Sequence, residues 1–321
     1  MTAAERKIVG ILLVRDEDLH VERVIRNCIQ FCDLLLVADN GSKDQTYAIL
    51  TRLAGAFPTI RLSRIAHAWE SHAMIQPYAN TDTWIFGVDG DEIYDPRGLA
   101  MLRGELLAGK YDDCWQILGN VIHCETLDQG HQRVAKGYLA PPAISMTKLY
   151  NFSKIIQWTN CPQRLHWGEI SFKGEDNRIL RLCDELSWDR AIFRCLHVAF
   201  LQRSSLQTHF KPWHTTRYNP SELIRNAKLD WSLGWKHVIK QIFLYPLTRL
   251  PRFDYKYRRY RRGGLVTVSS EPFMTSPSLV ADKLNLAVPE TVGKAERYHQ
   301  THPPLPRIGG AIVDMDAGGK S

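Results

Sequence analysis

Long apolar stretches are missing from this sequence: no run approaches the ~20 apolar residues a membrane-spanning helix requires. Also missing at the start are the apolar core and small-residue cleavage site of a secretory leader, since Met1 to Lys7 leads straight into a strand-like run. The expectation is a cytoplasmic protein. Its seven cysteines are scattered, odd in number and without a Cys-x-x-Cys pair, which argues against a zinc knuckle and for reduced thiols. Cys28 and Cys32 lie four apart on a predicted helix, where core packing explains them. Glycine and proline stand at ordinary levels, 21 and 16, so collagen-like and low-complexity readings fail. No internal repeat is visible. No Gly-x-Gly-x-x-Gly follows a predicted strand and no Gly-x-x-x-x-Gly-Lys-Ser/Thr occurs, which disfavours a dinucleotide site and a P-loop kinase.

What is present is a globular composition over 321 residues, 44% hydrophobic and 23% charged, enough for one large or two ordinary domains. The net charge of +7 is unevenly spread. Between Lys236 and Arg262 nine Lys/Arg face a single acid, Asp254, so that segment alone carries +8 and the remainder about −1.

The first hundred residues alternate strand and helix signals. Lys7 to Val14 (KIVGILLV), Leu34 to Ala38 (LLLVA), Ile60 to Ile65 and Thr83 to Val88 (TWIFGV) read as strands. Asp18 to Phe31, a stretch through Leu53 capped by Ser42 or Asp44, and Trp69 to Tyr78 read as helices. That alternation means βαβ units and a mostly parallel sheet, whose ligands gather at the carboxyl ends of the strands. From Tyr111 to Phe200, β-like runs (Cys114 to Val121, Thr147 to Tyr150, Ala191 to Phe200) are separated by loops rich in Trp, His and Gly. Arg203 onward is basic, aromatic and predicted helical, followed after Gly263-Gly264 by a Pro/Gly-dotted tail. The expected division is 1–205, 206–262 and 263–321.

Two polar clusters fall directly after apolar strands: Asp39-Asn40-Gly41-Ser42-Lys43-Asp44-Gln45-Thr46 and Asp89-Gly90-Asp91-Glu92. Carboxylates one residue apart in such a turn can converge on one hard divalent cation. A cation held there can bridge two phosphates and stabilise a departing diphosphate. Each cluster also has a bland explanation, a solvated turn for the second and a helix N-cap for the first.

The combination is more specific than either part. A strand, Asp-Asn-Gly-Ser-x-Asp-x-Thr, about fifty residues, another strand and Asp-Gly-Asp-Glu resemble the nucleotide-sugar domain of family 2 glycosyltransferases, which have the Rossmann-type α/β fold called GT-A. Arg15-Asp16-Glu17 after the first strand resembles that family's Asn-Glu signature, with Asp16 where Asn is usual. The resemblance covers Lys7 to Pro96, and Tyr111 to Ser205 more loosely. It implies a nucleotide site at Val14, Arg15, Glu17, Asp39, Asn40, Gly41, Ser42 and Asp89, with Asp39 on the base. It also implies a Mn²⁺ or Mg²⁺ site at Asp91, Asp89 and His197, the last within Cys195-Leu196-His197. The stretch Gln163 to Glu169 resembles the segment where a His-Glu pair supplies the family's base. Here Trp167 follows His166, so Glu169 is the first candidate base, with Glu175 and Asp176 as alternatives. Trp158, Trp167 and Trp188 can stack on sugars, although core packing explains each as well.

The activity so implied is metal-assisted, inverting transfer of a sugar, a uridine-diphosphate donor preferred, to a glycan or lipid-linked acceptor. A metal-dependent phosphoesterase or nucleotidyltransferase needs the second cluster but not the first. A non-catalytic nucleotide-sugar-binding scaffold is the reading that the missing His-Glu pair keeps open. The basic aromatic segment shows no nucleic-acid-binding module and suits the anionic inner face of a membrane, or a plain solvated helix.

Overall fold

The computed structural model describes residues 6–129, 132–140, 148–175, 177–198, 200–207 and 260–274. All of them belong to one unit, Met1–Asn285. The chain begins with β1 (Lys7–Val14), α1 (Val21–Cys28), β2 (Leu34–Asp39), α2 (Thr46–Ala56) and β3 (Ile60–Arg64). Then follow α3 (Glu70–Ala73), β4 (Thr83–Asp89), β5 (Glu92–Tyr94) and α4 (Pro96–Leu107). The second half contributes β6 (Cys114–Leu118), β7 (Asn120–Leu127), β8 (Val134–Leu139), β9 (Lys148–Asn151), β10 (Ile155–Thr159) and β11 (Glu169–Phe172). It closes with β12 (Arg178–Arg181), α5 (Leu182–Glu185), β13 (Arg194–His197) and β14 (Leu265–Ser269).

The central sheet has the order β12-β6-β9-β4-β1-β2-β3, and only β9 runs against the others. This is the expected mixed α/β fold with a mostly parallel sheet. The apolar runs are continuous because both faces are covered. Along β1, Ile8 and Leu12 enter the core shared with α1, α2 and α4, whereas Val9 and Ile11 enter a second core with Ile75, Trp115, Trp158 and Leu165. Six of the seven cysteines are buried in this framework, Cys28 and Cys32 included, and none is in a disulfide. Burial pushes the Cys28, Cys114 and Cys124 thiols up to about 12.

A second sheet, β14-β8-β7-β13-β5, stands beside the first, and β10 and β11 form a separate hairpin. Residues after Gly264 therefore return to the body: β14 pairs with β8, Phe273 is fully buried, and Asn27 Nδ2 donates to the Phe273 carbonyl at 2.8 Å. The expected tail from 263 starts, in the structure, as a strand. The rest of the basic segment, Lys236 to Arg259, lies outside the described residues.

Three other expectations change in detail. The Asp18–Phe31 helix is confined to α1 and a tight turn at Ile29–Phe31, because His20, at φ −130, leaves the helical range and the Asp18 carboxylate is taken by Ser205. The Trp69–Tyr78 helix is one short turn, α3, and then a tight turn at Gln76–Tyr78, because Pro77 has no N–H to continue the ladder. Asp44 Oδ1 accepts from Thr46 N–H at 2.9 Å at the start of α2, but Ser42 caps nothing there; its hydroxyl accepts from Asp16 N–H instead.

Candidate active site

Strand order places the site. The chain moves from β1 through β2 to β3 on one side, then returns to lay β4 on the other side of β1. The point where the order reverses lies between β1 and β4, and in open α/β sheets ligands bind outside the carboxyl ends there. The register brings the ends level: Val14 sits opposite Asp39 and Leu13 opposite Asp89. The residues expected to bind nucleotide therefore come from adjacent strand ends.

On the β2 side, Asp39 is fully buried and its carboxylate accepts the Ser42 N–H, with Arg64 Nε 3.4 Å away. Gly41, at φ +70, makes that tight return possible. The loops after β1 and β2 are stitched together. Asp16 N–H donates to Ser42 Oγ at 3.0 Å, Lys43 N–H to Asp16 Oδ1 at 2.7 Å, and Glu17 N–H to Thr46 Oγ1 at 2.7 Å. Asn40 N–H donates to the Val14 carbonyl at 2.9 Å. Val14, Glu17, Asp39, Asn40, Gly41 and Ser42 thus belong to one framework, with Arg15 Nε 3.7 Å from the Asp16 carboxylate.

On the β4 side the two aspartates part company. Asp89 Oδ1 is bonded by Arg164, which also donates to the Val88 carbonyl from a buried position. Asp91 is buried, and its Oδ2 is bonded by Arg203 and lies 3.4 Å from His197 Nε2. Asp91 and His197 are therefore together and Asp89 is outside their pair. Among the described residues no group of three His, Cys, Asp or Glu side chains gathers as a complete metal shell.

His197 is fixed from behind. It pairs with His123 across β13 and β7, their Nδ1 atoms 2.8 Å apart. Burial, then the neighbouring His197, pushes His123 well below the usual histidine range, so His123 is neutral. Its ring stacks on Tyr260 at 4.0 Å, and its Nε2 is buried without a hydrogen-bond partner. The two Nδ1 atoms share one hydrogen bond, which fixes the His197 ring with its Nε2 turned toward Asp91. Metal-binding histidines are commonly oriented in this way by a partner on the other ring nitrogen. Asp91 and His197 offer a divalent cation one oxygen and one nitrogen donor, and Arg203, now on the same Asp91 oxygen, would have to share it.

Beneath Asp91, burial pushes Glu92 up to about 8, with Asp91 and Glu17 adding repulsion and the Tyr94 hydroxyl, which donates to it, opposing. Burial also lowers Lys148, partly offset by Glu92. A strap from Gln202 to Ser205 delivers Arg203. The Gln202 carbonyl bonds His20 Nε2 at 2.9 Å, Ser204 Oγ donates to Asp44 at 2.6 Å, and Ser205 N–H donates to Asp18 at 2.8 Å.

Glu169 opens β11 and is exposed, five residues after Arg164; Glu175 is exposed in the following turn, and Asp176 lies outside the described residues. Sequence reading missed Arg164, Arg203, His123, Glu92 and Lys148 as participants. Arg164 lay inside the stretch already singled out, whereas nothing local to Arg203 or His123 marks it. Trp158 and Trp188 are buried core residues, and Trp167 is not.

No family model matches the sequence and no curated protein matches it. Solved structures do. Glucosyl-3-phosphoglycerate synthase from Mycobacterium tuberculosis is 20% identical, covering 37% of this chain and 44% of that one, with a TM-score of 0.29. The mannosyltransferase PcManGT from Pyrobaculum calidifontis, solved with GDP-Man and Mn²⁺, is 11% identical over 93% of this chain and 86% of that one, TM-score 0.37. S. aureus TarS is 14% identical over 78% and 44%, TM-score 0.36. The chain spans less than half the length of the first of these.

Proposed function

We propose that the chain is a GT-A, family 2-type glycosyltransferase that moves a hexosyl group from a nucleoside diphosphate, uridine preferred, to a glycan or lipid-linked acceptor with inversion. The observation that supports it best is the meeting of Val14, Asp39 and Asp89 at level strand ends around the reversal in strand order, with Asp91 and His197 two residues and one strand further on. A phosphoesterase has no need of a loop that holds base and ribose; a nucleotidyltransferase does, and release of a nucleoside diphosphate rather than inorganic diphosphate separates it from the transferase.

In this reading Asp39 and the Val14–Glu17 loop hold the base and ribose. Asp91 and His197 hold the cation, which when bound would supply positive charge for the diphosphate. Arg203, fixed by its strap, adds charge of the same sign beside it. The acceptor oxygen forms its bond to the anomeric carbon as the bond to the diphosphate oxygen breaks. Glu169 takes the hydroxyl proton, and the nucleoside diphosphate leaves. The basic segment remains a proposed membrane contact. No helix among the described residues is long and apolar enough to cross a membrane. Arg261 is already engaged, its Nε donating to the Tyr138 hydroxyl at 2.8 Å.

Calorimetry with uridine diphosphate and Mn²⁺ tests the assignment. Asp91→Asn should lose metal-dependent nucleotide binding while its unfolding transition remains cooperative. Unchanged affinity in that variant would overturn the site.

A further inference from the structure

We propose that Trp167 is the platform on which the acceptor sugar stacks, its indole lying against the apolar face of a hexopyranose ring; this rests on the transferase reading above. Of the six tryptophans among the described residues, Trp84, Trp115, Trp158 and Trp188 are buried. Trp69 and Trp167 are 51% and 82% exposed. An indole left in water forfeits the burial that normally makes tryptophan worth having in a core.

The backbone that carries Trp167 is unusual. Its φ is +59, in the left-handed region where a bulky residue is strained. Such strain persists only where surrounding structure imposes it, and it clusters at functional sites. The imposing contacts are visible. Trp158 Nε1–H donates to the Trp167 carbonyl at 2.7 Å, and Cys161 Sγ donates to the same oxygen at 3.2 Å. Gly168 follows at φ +90, and any Cβ there would overlap the Thr159 carbonyl oxygen. The fold therefore locks the main chain and leaves the ring outward, in a position no core contact requires.

The location suits an acceptor. Arg164, three residues earlier in the same loop, bonds Asp89 at the end of β4. The other exposed tryptophan stands on the segment that docks against this loop. Arg164 N–H donates to Ser71 Oγ at 2.9 Å, and His72 bonds both the Arg164 carbonyl and, at 2.7 Å, that of Trp158. Trp69 immediately precedes that turn and its ring stacks with His67. Two residues past Trp167, the exposed Glu169 carboxylate offers an acceptor for ring hydroxyls. An aromatic face beside an exposed carboxylate suits a neutral sugar, whose C–H face is apolar and whose rim donates hydrogen bonds. It disfavours a nucleic-acid base, whose phosphates the carboxylate would repel.

The test uses the full chain labelled with fluorinated tryptophan and followed by fluorine NMR. Trp167→Phe assigns the Trp167 resonance and keeps a ring. Trp167→Asn removes the ring with a residue that tolerates the left-handed backbone, so folding is preserved and is checked by its thermal transition. The probes are methyl glucoside, methyl galactoside, methyl mannoside, cellobiose and maltose. At least one should move the Trp167 resonance while those of Trp84 and Trp115 stay in place. Its affinity should fall roughly three- to tenfold in Trp167→Asn and recover in part in Trp167→Phe. A Trp167 resonance unmoved by every sugar, or unchanged sugar affinity in Trp167→Asn, overturns the inference. A parallel titration with UDP-glucose and Mn²⁺ separates the two readings. Donor binding with an unmoved Trp167 sinks the platform alone. Sugar binding at Trp167 without donor binding supports the platform and sinks the donor assignment.

Discussion

The β2 side of the site and the β4 side hold their acids in opposite ways. Asp39 and Asp44 each accept a backbone N–H two or three residues away, and a distant partner, Arg64 or Ser204, only adds to that local bond. Asp89 and Asp91 are held by arginines 75 and 112 positions distant, and Asp95 adds Arg194 across 99. A local turn carries its own instructions and survives damage elsewhere. A guanidinium brought from far along the chain is buried with its partner at Asp91 and Asp95, whereas Arg164 is buried and Asp89 stays half-exposed, so these pairs form only when the whole fold does.

The sharpest way to break this contrast is to remove one acid from each side. Asp89→Ala leaves the buried Arg164 guanidinium without its half-exposed carboxylate, which should cost about 1–3 kcal/mol in urea unfolding. Asp44→Ala removes a helix-start contact together with the Ser204 hydroxyl bond, neither involving a buried charge, and should cost about 1 kcal/mol. Equal losses would mean that the distant pairing has no special weight.

A second measurement reads the β4 side through pH. Glu92 surrenders its proton near its ordinary value of 4.5 in the unfolded chain but keeps it to about 8 when folded. Between those values unfolding releases a proton, so rising pH favours the unfolded state. Native stability from this group is full below pH 4.5 and is lost toward pH 8. Glu92→Gln should flatten that dependence, the parent losing on the order of 2 kcal/mol relative to the variant between pH 5 and pH 7. Parallel pH profiles would show that Glu92 titrates normally.

The smallest effect sits within one helix. Gly98 in α4 lies against the Ile192 carbonyl oxygen, which any Cβ would overlap, whereas Gly104 in the same helix has open space around it. Gly98→Ala should destabilise by about 1–3 kcal/mol and Gly104→Ala should stabilise by up to about 1 kcal/mol, read from melting temperatures. The same sign for both would remove the claim that α4 is pressed onto the second half only at its start.

The same division governs what could be read from the sequence. KIVGILLV, LLLVA and TWIFGV are apolar throughout because both sheet faces are covered, and the turns after them announce themselves through Asp, Asn and Gly. β1, β2 and β4, with the acidic turns at their ends, were therefore legible. β10, β11 and β12 are short, edge-like and largely exposed on one side, which leaves little periodicity to find. β14 did carry a signal: Val266 and Val268 alternate with the exposed Leu265, Thr267 and Ser269, a period-two pattern hidden by the glycines before it. His197 was within reach as the end of an apolar run. His123 and Arg203 become visible only once β7, β13 and the strap are laid side by side.

The buried cysteines lend themselves to a different use. A thiol whose pKa is pushed to about 12 is almost never a thiolate near neutral pH, and only the thiolate attacks an alkylating reagent. Cys28 ends α1, Cys114 begins β6 and Cys124 sits in β7, so three separate elements each place one thiol in the same core. Each can be modified only while its own element is lifted from that core. Peptide-resolved alkylation with time would thus work as three clocks set in one chamber: equal rates mean that the core opens all at once, and unequal rates name the element that lifts first.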